Sequence, residues 1–231
     1  MRAVLKIGGS LLYDDDGQIR IDRLREYADS IKSLVNDGHL LVVVVGGGKP
    51  ARVYISAART LGADEAQCDW LGIKAARNNA ELLGAALGDS AYPKVVDDYD
   101  ELEVAVNLGK VVLLGGMVPG QSTNAVAAAS AELIHADMLF NATNVDGVYD
   151  KDPEEIGAKK LDSVTVSQLR EILSAAGIKA GQYSLFDPVA IRIVERSQIP
   201  TVIFNGNNPE NLKKVFNNGK IGTRITHGMK K

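Results

Sequence analysis

Residues 40–52 read LLVVVVGGGKPAR. Six apolar residues, four of them valine, run into three glycines. A strand with one wet face alternates apolar and polar side chains. This run does not alternate, so both of its faces are expected to be covered, as in a parallel sheet packed between helices. On either side of it, AVLKI (3–7), YPKVV (92–96), KVVLL (110–114), DMLFNAT (137–143), TVIF (201–204) and, more weakly, IGTRI (221–225) read as further strands. Helical patterns lie between them. Ile21, Leu24, Tyr27, Ile31 and Leu34 recur at three- and four-residue spacing, and Gly38 ends that helix. Thr165 with Gln168 reads as a capping box. Asp187-Pro188 and Asn208-Pro209 each read as an N-cap followed by proline at the first helical position. Strands alternating with helices imply right-handed crossovers. The expected fold is α/β, a three-layer α/β/α sandwich with a mainly parallel central sheet.

No Pro/Ser-rich linker, repeat or low-complexity tract divides the 231 residues, so one continuous sheet is expected, with ligand between its two halves. YDDDGQ (13–18) reads as a solvated acidic loop. With 45% hydrophobic residues the chain can bury a sizeable core. A formal net charge of −3 gives no electrostatic case for nucleic acid or an anionic membrane. One cysteine, Cys68, excludes an internal disulfide framework and fits a reducing cytosol. No apolar stretch approaches the roughly 20 residues of a membrane helix. The start, MRAVLKIGGS, is not a signal peptide, because its short apolar run reaches glycines at once. A cytoplasmic protein is expected. The three histidines show no metal-ligand spacing.

VLKIGGS, VVVVGGGKPAR and VVLLGGMVPGQST share one grammar of strand, glycines and helix start. Glycine lets a ligand approach the main chain closely. A helix N-terminus adds free N–H groups and partial positive charge, which suit phosphate. Open α/β sheets bind ligands at the carboxyl ends of their strands, where all three turns fall. Tight turning alone would also use glycine; three such turns in one domain favour a phosphate-rich ligand. Walker A fails, because Gly48-Lys49 lacks a glycine five residues earlier and Pro50 follows. Residues 46–51 partly match the dinucleotide fingerprint, with Asp64, Glu65 and Asp69 near the distance for a ribose contact. That fingerprint belongs in the first strand–helix turn, and KIGGS comes first here. A phosphoryl-transfer enzyme therefore ranks above a dehydrogenase.

Lys6 lies inside a strand expected to be buried. It either faces a ligand or sits on an edge strand and reaches water. Arg52 falls in the first turn of the helix after GGGKP, where a cation is unfavourable unless an anion is present. It is a phosphate ligand or an exposed arginine. Arg77, on the helix in LGIKAARNNAELL, reads equally as surface. DGVYDKDP (146–153) is by composition an ordinary turn-rich loop.

KIGGS, VVGGGKPAR, GGMVPGQST and ATNVDGVYDKDP resemble the amino acid kinase superfamily, and within it the archaeal-type uridylate (UMP) kinases. DWLGIKAARNNAELL, PGQST followed by AVAAASAE, and DPVAIRIVERSQI resemble that subgroup too. The resemblance covers essentially the whole chain and implies a single domain, with an acceptor half at about 1–125 and an ATP half at about 126–231. It implies that Gly9, Ser10, Gly48 and Arg52 lie against ATP phosphates and that Gly47 touches the UMP phosphate. Asp69 matches the acidic residue that holds the ribose hydroxyls. Met117, Val118, Pro119, Gly120, Gln121, Ser122 and Thr123 match the turn that wraps UMP. Thr143, Asn144, Tyr149 and Asp152 match the adenosine site. Lys6 matches the strand lysine that neutralises the transferring phosphoryl group. Asp146 could orient a lysine, sit near magnesium or serve the turn itself. Mg²⁺ with ATP, and a homohexamer built from dimers, are implied; the alternative assembly is a dimer.

Uracil is neutral and offers both donors and acceptors, which a turn of backbone groups with Gln121, Ser122 and Thr123 can match without a charged residue. Ser122 or Thr123 could instead serve only as the N-cap of the next helix. The implied reaction moves the ATP γ-phosphoryl group to UMP, giving ADP and UDP, a step of pyrimidine nucleotide biosynthesis. Two alternatives stand beside it: a related kinase with another phosphate or carboxylate acceptor, and a non-enzymatic nucleotide- or oxyanion-binding protein of the same fold.

Overall fold

The computed structural model describes residues 1–175 and 185–227. Among these, seven strands form one sheet: β1 (Arg2–Ile7), β2 (Leu40–Val45), β3 (Val112–Leu114), β4 (Met138–Thr143), β5 (Ser163–Thr165), β6 (Thr201–Asn205) and β7 (Thr223–Thr226). Their order is β3-β2-β1-β4-β6-β7-β5, and every neighbouring pair is parallel except β6 with β7. The mainly parallel three-layer sandwich is the architecture observed. LLVVVV is β2, one strand from the edge, and Leu41 to Val45 are all buried.

Side chains alternate across a strand, so each strand feeds two cores. Ala3, Leu5 and Ile7 of β1 face one layer, formed by α1 (Ile21–Asn36), α3 (Glu65–Leu87) and α8 (Glu210–Phe216). Val4 and its neighbours Val42, Val44 and Leu139 face the other, built from α4 (Tyr99–Ala105), α5 (Thr123–Leu133), α6 (Val166–Ala175) and α7 (Pro188–Ser197). The remaining helix, α2 (Gly48–Thr60), packs on α3 and buries only Ala51.

Local signals account for most element ends. Leu24, Tyr27, Ile31 and Leu34 form the buried stripe of α1, and Gly38 follows it at φ +83°. Ile21 does not belong to that stripe: as the first residue of the helix it is 50% exposed. Thr165 and Gln168 exchange the two bonds of a capping box, at 2.8 and 3.2 Å. Asp187 accepts from the amides of Val189 and Ala190, with Pro188 at the first helical position. Asn208 accepts from Glu210 N at 3.0 Å, although the helix itself starts at Glu210.

One strand expectation fails and one strand is additional. YPKVV is not a strand but two isolated parallel bridges, Ala91 to Val111 and Val96 to Leu114. Pro93 has no N–H to donate, which interrupts the ladder between them. β5 has only three residues, one of them apolar, and its place beside β7 leaves no periodic trace. No helix among the described residues is long and apolar enough to cross a membrane.

Candidate active site

Because β1 to β4 run in parallel, their carboxyl ends share one edge of the sheet. The three glycine turns leave β1, β2 and β3, which are adjacent, while β4 lies on the other side of β1. Strand order reverses between β1 and β4, and such a switch point opens a crevice at the carboxyl edge. The turns converge there. The backbone of Gly9 lies against Gly46 and Gly48, so closely that neither Gly9 nor Gly48 has room for a Cβ, and Gly48 adopts φ +65°. Gly115 presses on α3, where a Cβ would meet Arg77 N at 2.5 Å. Glycine is therefore required here by turn-on-turn and turn-on-helix packing, whatever else the turns hold.

Helix α3 holds all three turns. Asp64 caps it in a capping box with Gln67, and Glu65 pairs with Arg59, which accounts for two carboxylates that the dinucleotide reading would have placed on ribose. Asp69, one turn further, accepts from Gly120 N at 2.7 Å. Arg77 lies two turns beyond Asp69 on the same face. It donates to Gly116 O at 3.0 Å and Met117 O at 3.4 Å, and pairs with Asp97 at 3.1 Å. Arg77 is thus an anchor of the third turn. Asn79, 2% exposed, bonds the second turn and Tyr13. Sequence reading passed over Asn79; nothing in a helical pattern marks what a buried amide will meet.

The third turn is Val118-Pro119-Gly120-Gln121, closed by Gln121 N donating to Val118 O at 3.3 Å, with Gly120 at φ +78°. Proline and glycine at its centre are the pair a type II turn demands. Val118 and Gly120 are exposed and Pro119 half-buried. Met117, 2% exposed, belongs to the core, so only its backbone faces the turn. The Gln121 carboxamide lies 3.5 Å from the Tyr99 hydroxyl. Ser122 is the N-cap of α5, accepting from Asn124 N and Ala125 N at 3.1 Å each. Its own hydroxyl donates to Asp187. Thr123 opens the helix.

Lys6 stands opposite Val44 and Asn141 on a strand flanked on both sides, so it is not an edge lysine. It shares the β1 face of Val4, toward α5 and α7. Burial lowers its pKa to about 8, and the Asp187 carboxylate works against that. No ion pair or hydrogen bond holds its ammonium among the described residues. Asn141, 1% exposed, donates to Leu185 O at 3.0 Å and toward Asn124 Oδ1 at 3.4 Å, while its own Oδ1 lacks a partner. Asp187 and Asn141 were not singled out beforehand: Asp187 announced itself only as a cap.

The remaining residues lie along the same edge. Gly47 is the N-cap of α2, and Ser10 is exposed in the single 3-10 turn after β1. Since α2 already starts at Gly48, Arg52 sits one turn inside the helix and not in its first turn; it is exposed and meets no carboxylate among the described residues. Pro50 is tolerated there because the first amides of a helix have no partner. Thr143 ends β4 and brackets Val145 with its hydroxyl. Asn144 is exposed, and Asp146 accepts from Asn205 Nδ2 at 2.8 Å, joining the ends of β4 and β6. Tyr149 bridges to Lys160, and Asp152 caps the turn at Glu154.

A desolvated lysine, glycine amides and helix N-termini gathered at one sheet edge are groups of the kind that suit a polyanion. The sequence model of the amino acid kinase family matches residues 1–205. The chain belongs to the amino acid kinase family. Within this family it is 46% identical to the uridylate kinase of Methanobrevibacter smithii over 226 residues, covering 97% of this chain and 99% of that one. The crystal structure of uridylate kinase from Archaeoglobus fulgidus superposes with a TM-score of 0.87 at 44% identity, covering 98% of this chain and all of the other. The aspartate kinase of Synechocystis shares the amino acid kinase fold alone, at 23% identity and TM-score 0.76 over 40% of its own length.

Proposed function

We infer that the chain is a uridylate kinase, a nucleoside monophosphate kinase that transfers the ATP γ-phosphoryl group reversibly to UMP. The observation that carries this reading is near-full-length identity above 40% with uridylate kinases, including one of known structure. The geometry supports it: the PGQST turn is presented at the sheet edge, latched to α3 through Asp69 and Arg77.

The acceptor half spans about 1–125 and the donor half about 126–231. UMP lies under Met117 to Thr123, its uracil against the Pro119-Gly120 backbone, its ribose on Asp69 and its phosphate at Gly47. ATP phosphates lie at Gly9, Ser10, Gly48 and Arg52, and adenosine at Thr143, Asn144, Tyr149 and Asp152. The second pKa of a phosphate monoester is about 6, so the attacking oxygen is ionised at neutral pH and needs no general base. Transfer then depends on alignment and charge neutralisation. Lys6 supplies a cation at the crevice, and the turn amides supply donors that need no reorganisation. Mg²⁺ bound with ATP would neutralise charge on the phosphates during transfer. The residues present fit such an ion: Mg²⁺ needs only one or two carboxylates beside phosphate and water, and Asp187, whose charge acts on Lys6, would offer one. Asp146, held by Asn205, is a further carboxylate at this edge. The enzyme works in the cytoplasm as a homohexamer, with a homodimer as the alternative.

A coupled assay with ATP and Mg²⁺ against UMP, CMP, dUMP, AMP, carbamate and amino acids tests the reading. UMP-selective ADP release is expected. Turnover with another acceptor only, or binding without turnover, would replace it.

A further inference from the structure

Asn79 lies near the middle of α3 with all of its polar atoms engaged. Nδ2 donates to Gly46 O at 2.7 Å and Gly47 O at 3.2 Å, while Oδ1 accepts from the Tyr13 hydroxyl at 2.6 Å. Gly46 and Gly47 belong to the second glycine turn. Tyr13 closes the 3-10 turn Gly9–Leu12 that follows the first. One buried carboxamide therefore ties both turns to the same helix.

The need for such a tie follows from the way the turns meet. Gly9 packs on Gly46 and Gly48 through bare backbone. Interlocking side chains fix the register of most packed surfaces, but two glycine backbones offer none. A slide of one turn past the other is opposed by directional bonds, and Asn79 makes three of them. Burial pushes the Tyr13 phenol upward, which keeps its hydroxyl protonated and donating. A buried amide deprived of these partners would be costly, so the network is held as a unit.

We propose that Asn79, together with Tyr13, is a positioning residue for phosphoryl transfer. It sets the spacing between the first turn, which holds donor phosphates at Gly9 and Ser10, and the second, which holds the acceptor phosphate at Gly47 and meets the donor through Gly48. The proposal rests on the kinase reading above. Each turn keeps its own amides without the clamp, so each substrate still binds. What changes is the placement of one phosphate relative to the other, and a misplacement of about 1 Å costs on the order of 100-fold in rate.

Tyr13→Phe removes one hydroxyl and keeps the ring; Asn79→Leu keeps the volume and removes all three bonds. At saturating ATP and UMP, kcat is expected to fall about 10-fold in Tyr13→Phe and about 100-fold in Asn79→Leu. KM for each substrate should stay within about threefold of wild type, because the clamp does not touch either one. Circular dichroism at the assay temperature gives the folded fraction, to which each kcat is normalised. Wild-type kcat per folded molecule in both variants overturns the proposal, as does a loss confined to KM. Should Asn79→Leu fail to fold, Tyr13→Phe decides by the same criteria. The wild-type assay comes first, so absence of UMP turnover there strikes the kinase reading and is told apart from failure of the clamp.

Discussion

Lys6 keeps a cation where it costs free energy until an anion arrives. Its pKa is about 8 in the folded chain against 10.5 for the free side chain, through burial that Asp187 only partly offsets. Between those values the unfolded chain binds more protons than the folded one. Stability of the ligand-free protein should therefore rise with pH from about 8 to 10.5, by up to about 3 kcal/mol, with the full penalty present below pH 8. Lys6→Met is expected to raise the urea midpoint of the ligand-free protein at pH 7 and to lower kcat at least about 100-fold. A lysine with a merely structural role would leave kcat near wild type. Asp187→Asn separates two duties of one carboxylate. Asparagine still caps a helix, but it no longer raises the Lys6 pKa. The alkaline limb of kcat/KM, which reports the free enzyme, should start near pH 8 in wild type and lie lower in Asp187→Asn. A limb that does not move would show that Asp187 does not tune Lys6.

At the scale of elements, α5 and α7 start side by side, and their caps are linked: Ser122 caps one, Asp187 the other, and the Ser122 hydroxyl donates to Asp187. Ser122→Ala removes the α5 cap and the link together. It should cost about 1 kcal/mol, the usual worth of an N-cap, measured as a lower urea midpoint with an unchanged m-value. A midpoint equal to wild type would mean that water or Thr123 replaces the cap. Elements of this kind were readable beforehand because capping and periodicity are local. Asp187-Pro188, Thr165 with Gln168, and the non-alternating β2 each declared an element within a few residues. The pairings across the site are not local. Asp187 opposes Lys6 from the far end of the chain, and Arg77 and Asn79 acquire their partners only once the glycine turns fold onto α3. YPKVV had strand composition, yet its place at the sheet margin with Pro93 left only bridges.

At the scale of the molecule, the question is how many apolar surfaces remain uncovered. Val53, Tyr54 and Leu61 are 60%, 59% and 88% exposed. Val53 and Tyr54 are successive residues of α2 and Leu61 directly follows its last residue, with α2 packed on α3 and its half-exposed Trp70. Val104 and Leu108 form a second exposed pair after the start of α4, at 64% and 59%. One self-complementary patch closes a dimer; a closed hexamer with dihedral symmetry needs a second kind of contact. Among the described residues, α2 with its following turn and α4 with its following turn each carry such an exposed apolar group, which is what the proposed hexamer would require. Light scattering coupled to size exclusion should give six copies for wild type. Charging the second patch with Val104→Glu and Leu108→Glu should leave dimers, whereas Val53→Glu with Leu61→Glu should divide the hexamer differently, into species that lack the α2 contact. Wild type eluting as a dimer would decide for the simpler assembly and leave Val104 and Leu108 as ordinary surface. If both double variants kept six copies, neither patch would be an interface, and the hexamer would have to be built from polar contacts.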